Sequence, residues 1–191
     1  MAATRSAAPQ AEVGRVATVA IPDPSLVVLI GAAGSGKTAF AARHFDPAEV
    51  LSSDAYRALI AGDKTDQRAT RAAFARLHGD LSRRLDERRL TVVDATNVER
   101  SARRALLARA RAAGLPAVAI VLDLPPAVVL ARNAGRAERV VPEPAVISHL
   151  ARLRSTLDGP GTGLHAEGFD QVVMVRDPLE LASISVVRLR G

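Results

Sequence analysis

The sequence predicts an α/β fold in which a central parallel β-sheet is flanked by helices. Continuous apolar runs at Leu26–Ile30 (LVVLI), Thr91–Ala95 (TVVDA) and Ala117–Leu124 (AVAIVLDL) read as strands buried on both faces. Helical stretches separate them, which is the alternation that parallel strands require. The composition agrees: 48% of residues are apolar but only 3% aromatic, so the core is built from Ala, Val, Leu and Ile.

In chain order, residues 1–14 are Ala-rich and are expected to form a tail. Arg15–Ile21 alternates and suggests a short edge strand before Pro22 and Pro24. Leu26–Ile30 leads into a glycine-rich loop and a helix from about Lys37 to His44. Val50–Ser53 is a second strand, and Asp54–Ala61 a short helix stopped by Gly62. Asp66–Arg89 is a long helix with Phe74, Leu77, Leu81 and Leu85 at helical spacing.

Strand Thr91–Ala95 precedes a helix over Glu99–Ala113, stopped by Gly114 and Pro116. After Ala117–Leu124, Pro126 opens another helix that breaks near Gly135. Pro142 and Pro144 start the next, with Val146, Leu150, Leu153 and Leu157 on one face. Gly159–Gly163 is a loop, Gln171–Val175 a fifth strand and Ser183–Leu189 a final edge strand. No internal repeat or second core is evident, so residues 15–191 read as one domain. In such a sheet, ligands sit beyond the carboxyl ends of the strands.

Composition narrows the function. The 191 residues contain no cysteine, which excludes a disulfide framework, a thiolate metal site and a Cys nucleophile. No apolar run approaches the roughly 20 residues that span a bilayer, and Met1–Gln10 lacks the order of a signal peptide. A cytoplasmic protein without membrane attachment is expected. The net charge is +6, compatible with polyanionic partners. Only two of the 26 basic residues are lysines, Lys37 and Lys64. A lysine inside a glycine loop, in a chain that otherwise uses arginine, suggests that a compact ammonium is required there.

That loop, Gly31-Ala32-Ala33-Gly34-Ser35-Gly36-Lys37-Thr38, fits G-x4-G-K-[ST], with a buried strand before it and a helix after. Its backbone N–H groups can converge on phosphate oxygens, and the helix N-terminus adds partial positive charge. Lys37 is expected to bridge the β- and γ-phosphates of ATP, and the Thr38 hydroxyl to sit on Mg²⁺. No strand ends in Asp-Glu and no Asn-Lys-x-Asp motif occurs, so a kinase fits better than a motor or a GTPase.

Other candidates lie at strand ends. Asp54 and Arg57, after the second strand, either accept a hydroxyl proton and hold an acceptor phosphate, or cap a helix and face water. Asp94, Thr96 and Asn97, after the third, either position acceptor and metal-bound water or form a turn with Asn97 as helix cap. The segment Arg132-Asn133-Ala134-Gly135-Arg136-Ala137-Glu138-Arg139 reads as a lid or as a solvated basic helix. Between Arg68 and Arg111 stand 12 arginines and five acids, either a phosphate track or ordinary helix faces. His44, His78, His149 and His165 lack metal-ligand spacing and suit core-edge or surface positions.

Taken together, LVVLIGAAGSGKTAF, LSSDAYRALI, TVVDATNVERSAR and the RNAGR segment followed by VP resemble the kinase domain of polynucleotide kinases. They are most similar to the kinase module of bacterial polynucleotide kinase-phosphatases. The likeness runs from about Val19 to Val175. It implies a P-loop kinase fold with a central parallel sheet and a helical lid at about 132–141. It also implies transfer of the γ-phosphate of ATP, with Mg²⁺, to RNA or DNA 5′-hydroxyl ends. Carried over, Lys37 and Thr38 bind phosphate and metal. Asp54 matches the general base, Arg57 the acceptor-phosphate contact and Arg136 the lid arginine, with Arg132 beside it. Asp94 is a supporting acid. Members of the family often continue into phosphatase or ligase domains, which are possible partners of this chain. The rivals are a kinase of a small hydroxyl metabolite or nucleotide sugar, and a non-catalytic nucleotide-dependent RNA-binding module.

Overall fold

A computed structural model of the chain describes residues 18–60, 67–137, 140–158 and 163–190. The expected tail at 1–14, the stop at Gly62, residues 138–139 of the lid segment and most of the 159–163 loop lie outside the described residues. Five strands form one parallel sheet: β2 (Leu26–Ile30), β3 (Val50–Ser52), β4 (Thr91–Asp94), β5 (Ala117–Leu122) and β6 (Gln171–Val175). Their order across the sheet is β3-β4-β2-β5-β6. Strand β2 is central, paired in parallel with β4 from Leu26 opposite Thr91 and with β5 from Leu26 opposite Ala117. All five of its side chains are wholly buried.

That burial divides by parity, since successive side chains of a strand point to opposite faces. Val27 and Leu29 pack on one face with Phe40, Val92, Ile120 and Val129. Leu26, Val28 and Ile30 pack on the other with Leu77, Leu81, Leu106 and Phe169. Each such side chain contributes about 1.5–3 kcal/mol by leaving water, which is why an unbroken apolar run suits a strand covered on both sides.

The covering helices are α1 (Lys37–His44), α2 (Ser53–Ile60), α3 (Gln67–Asp86), α4 (Arg100–Ala112), α5 (Pro126–Ala134) and α6 (Glu143–Asp158), with short α7 (Leu164–Glu167) and α8 (Pro178–Ser183). Strand β1 (Thr18–Asp23) pairs in parallel with β7 (Ser185–Arg190) as a separate two-stranded sheet. The expected edge strand is described from Thr18 and runs through Pro22 to Asp23; its residues 15–17 lie outside the described residues. The stripe on α6 does not serve one core as its spacing suggests. Val146 and Leu150 join the α1–α5 side, whereas Leu153 and Leu157 join the α3–α4 side. The helix therefore crosses the end of the sheet.

Arg103 on α4 is wholly buried. Its guanidinium donates to both carboxylate oxygens of Glu167 on α7 at 2.7 and 2.6 Å, and to the carbonyls of Asn97 and Val98 at 2.9 and 2.8 Å. A buried arginine needs this full set of partners to offset its desolvation. It locks α4 to α7 and fixes the turn that follows β4. No described helix is long and apolar enough to cross a membrane.

Candidate active site at the carboxyl edge of the sheet

The glycine loop follows β2 directly and delivers α1 into the carboxyl edge of the sheet. Gly34 and Gly36 have φ of 89° and 99°, in the left-handed region that L side chains rarely adopt. A Cβ on Gly34 would stand 2.5 Å from the Val129 carbonyl oxygen, so the loop seats directly on α5. Gly31 N–H donates to the Thr96 carbonyl at 3.0 Å, which ties the loop to the turn after β4.

Lys37 lies back along its own loop. Its ammonium donates to the carbonyls of Gly31 at 2.9 Å and Ala32 at 2.8 Å, with Ser35 Oγ at 3.4 Å. Burial pulls its pKa down to about 8, opposed by the Asp94 and Asp54 carboxylates. Thr38 Oγ1 donates to Asp94 Oδ2 at 2.8 Å. Burial pushes the Asp94 carboxyl above the usual range, against that hydrogen bond and the Lys37 charge. A hydroxyl and a carboxylate side by side are the hard oxygen donors that Mg²⁺ takes, with the rest of its shell left to water and phosphate. The residues present therefore fit the ion.

Asp54 and Arg57 sit one turn apart on α2, with Arg57 Nη1 on Asp54 Oδ1 at 2.5 Å. The Arg57 guanidinium also lies over the Phe74 ring at 5.4 Å. Phe74 thus packs against Arg57 rather than joining the buried Leu77, Leu81 and Leu85 stripe of α3. Tyr56 between them donates to Asp80 on α3 at 2.6 Å, holding α2 in place. Burial and this bond push the Tyr56 phenol up to about 12.

On the far side, Arg132 in the last turn of α5 and Arg136 just beyond it enter the same cleft. The end of α5 beside Arg136 is tied to Val141, just before α6. Asn133 Nδ2 donates to the Val141 carbonyl at 2.8 Å, and Val141 N–H returns a bond to Asn133 Oδ1 at 3.2 Å.

One cavity of roughly 630 Å³ brings these residues together, lined by Gly34, Lys37, Thr38, Asp54, Arg57, Asp94, Thr96, Arg132 and Arg136. Ala33 and Gly36 also reach it. Asn97 does not: buried, at φ 49°, it donates its amide to the Leu29 carbonyl at 2.8 Å. It is not the helix cap either, since Glu99 is the N-cap of α4. Asn97 is a brace between β2 and the turn after β4, for which asparagine's tolerance of positive φ suits it.

Two polar side chains without a sequence-predicted site role, Ser53 and His149, line the cleft beside the apolar Ala39, Ala95 and Val141. Ser53 stood next to a singled-out aspartate. The placement of His149 follows from the crossing of α6, which no periodicity reveals. The arginine-rich stretch is largely engaged elsewhere. Arg84 and Arg109 donate to the carbonyls of Ala48 and Ala105, and Arg83 pairs with Asp80 and Glu87.

The family model described as an AAA domain, AAA_33, matches residues 26–160, more than half of the chain. The protein belongs to this AAA_33 family. Residues 26–160 run from β2 through α6 and include every cleft residue named above. Similar solved structures place the AAA_33 chain among P-loop kinase folds. A chain of the Pnkp1/Rnl/Hen1 RNA repair complex superposes with a TM-score of 0.61 at 22% identity, covering 77% of this chain and 48% of that one. A sugar kinase from Janibacter sp. HTCC2649 gives 0.54 at 21% identity, covering 82% and 89%. A gluconokinase from Sinorhizobium meliloti 1021 gives 0.53 at 20% identity, covering 86% and 89%. At these identities the likeness is one of fold. The AAA_33 chain spans about half the length of the repair-complex chain. No curated protein sequence matches it.

Proposed function

We propose that the protein is an ATP-dependent polynucleotide kinase that transfers the γ-phosphate to RNA or DNA 5′-hydroxyl ends. The observation that carries this reading is the joint placement of Asp54 and Arg57 in one cleft with Lys37 and Thr38. A carboxylate there accepts the proton of an attacking hydroxyl, and the guanidinium beside it holds an acceptor phosphate. A polynucleotide end offers both a hydroxyl and a phosphate one nucleotide away.

In this reading the glycine loop cradles the phosphates, and Lys37 turns from the Gly31 and Ala32 carbonyls onto them. Arg136 and Arg132 approach from the lid side and neutralise charge on the transferring group. Thr38, with Asp94 beside it, would hold Mg²⁺, which would supply charge neutralisation when bound. Most of the catalysis is positioning and electrostatics, as phosphoryl transfer requires. The repair-complex likeness supports the polynucleotide acceptor.

A second reading, a kinase of a small hydroxyl metabolite, draws support from the sugar kinase and gluconokinase, which the chain matches over 89% of their own length. Labelled ATP offered with a 5′-hydroxyl oligonucleotide or with a panel of sugars and nucleosides separates the two. Label on the oligonucleotide 5′ end supports the first; label on a metabolite alone overturns it.

A further inference from the structure

His149 is a cleft residue to which the proposed function gives no role. It sits on α6 and lines the same cavity as Lys37, Asp54, Asp94 and Arg136. Its neighbours Val146 and Leu150 are packed into the α1–α5 core, which fixes the helix face that carries the ring. Ring atom Nδ1 is buried, with no hydrogen-bond partner among the described residues. Nε2 is then the nitrogen left to serve the cleft. An imidazole with one nitrogen buried and unpaired is a poor packing element, since an apolar side chain would fill the space without that loss. The arrangement makes physical sense if the other nitrogen meets a ligand.

We propose that His149 is a further substrate-contacting residue, whose Nε2–H donates to an oxygen of the phosphoryl group being transferred. The inference rests on the kinase reading and deepens it. The ligand class is a nucleoside triphosphate, recognised at its terminal phosphate. The ring acts as a neutral donor. A second proton would have to sit on the buried Nδ1, where no acceptor stands. Burial, with the Lys37 charge nearby, holds His149 below the ordinary imidazole range. The charged groups that share its cleft are Lys37 from α1, Asp54 and Arg57 from α2, Asp94 from β4, and Arg132 and Arg136 from α5 and the lid. Cations outnumber acids there, which also favours the uncharged ring. A neutral hydrogen-bond donor then marks the triphosphate, and ADP, lacking the third phosphate, does not reach it.

The test is calorimetric titration of the full chain with Mg²⁺, comparing ADP with the non-hydrolysable β,γ-imido analogue of ATP. The wild type should bind both. His149→Ala should weaken the imido analogue about tenfold or more, the scale of one hydrogen bond to a charged group, and leave ADP within about twofold. His149→Gln, which offers an amide N–H in place of Nε2–H, should recover most of the loss. In the wild type, the ¹⁵N signal of the His149 ring should move with the imido analogue and stay in place with ADP. That measurement needs no variant to fold. Equal weakening of both ligands, no change in either, or a rise confined to the acceptor KM overturns the contact. A wild type that binds neither nucleotide brings down the kinase reading itself, and with it this inference.

Discussion

The Thr38 hydroxyl donates to the Asp94 carboxylate over 2.8 Å, joining the last residue of the glycine loop to the last residue of β4. Under the proposed function this is where Mg²⁺ binds. Thr38→Ala should lower the rate at saturating nucleotide by about 10–100-fold and move the Mg²⁺ midpoint upward, with Asp94→Asn following in the same direction. Initial rates across a Mg²⁺ titration check this. An unmoved midpoint in both variants would assign the pair to holding the loop alone.

Asp54→Ala should cut transfer by about 10²–10⁴-fold, the usual worth of a general base, while nucleotide affinity stays the same. Arg57→Ala should raise the acceptor KM more than it lowers kcat, because Arg57 is proposed to meet the acceptor. Steady-state kinetics on a 5′-hydroxyl oligonucleotide separate the two effects. Retention of most of the rate by Asp54→Ala removes it as the base.

Lys37 gives two pH dependences of opposite sign. Its folded pKa lies at about 8 against 10.5 for the free side chain. Phosphate binds the ammonium, so nucleotide affinity should hold up to about pH 8 and weaken above it. Folding runs the other way. Above pH 8 the unfolded chain keeps this proton while the folded one sheds it, so the ligand-free protein gains stability between pH 8 and 10.5 from this group. Urea midpoints and nucleotide titrations across pH 7–9.5, each compared with Lys37→Met, read both trends. Lys37→Ala should abolish transfer.

Arg103 and Glu167 form a buried pair, with Glu167 the last residue of α7 and Arg103 fully enclosed. Glu167→Gln or Arg103→Met alone should cost about 3–5 kcal/mol, because each leaves a buried charge without its partner. Arg103→Met with Glu167→Leu should recover much of that. Urea denaturation of the three variants checks the non-additivity.

The legible part of the fold was the part made by local pattern. Strands β2, β4 and β5 showed themselves as apolar runs because both faces are covered. Helix α3 showed its Leu77, Leu81 and Leu85 stripe because it packs on one side. Helices α7 and α8 span four and six residues, too few for a period to register. The β1–β7 pairing joins Thr18 to Ser185, and nothing local in either strand names the other. The glycine loop, Asp54, Arg57 and Asp94 stand out in the sequence because they follow strand ends, and the fold brings residues of all of them to one cavity. Asn97 turns inward, and proximity to a strand end does not reveal where an amide points. Its positive φ and its bond to Leu29 decide that, and both belong to tertiary structure.

The paired hydrogen bonds between Asn133 and Val141 act like a rivet between the end of α5 and the residues that lead into α6. Arg136 stands three residues from that rivet, and its N–H donates to the Asn133 carbonyl at 3.3 Å. The arginine is therefore carried by the helix end itself. Cutting the rivet with Asn133→Ala would loosen the backbone under Arg136 while leaving the buried sheet as it is.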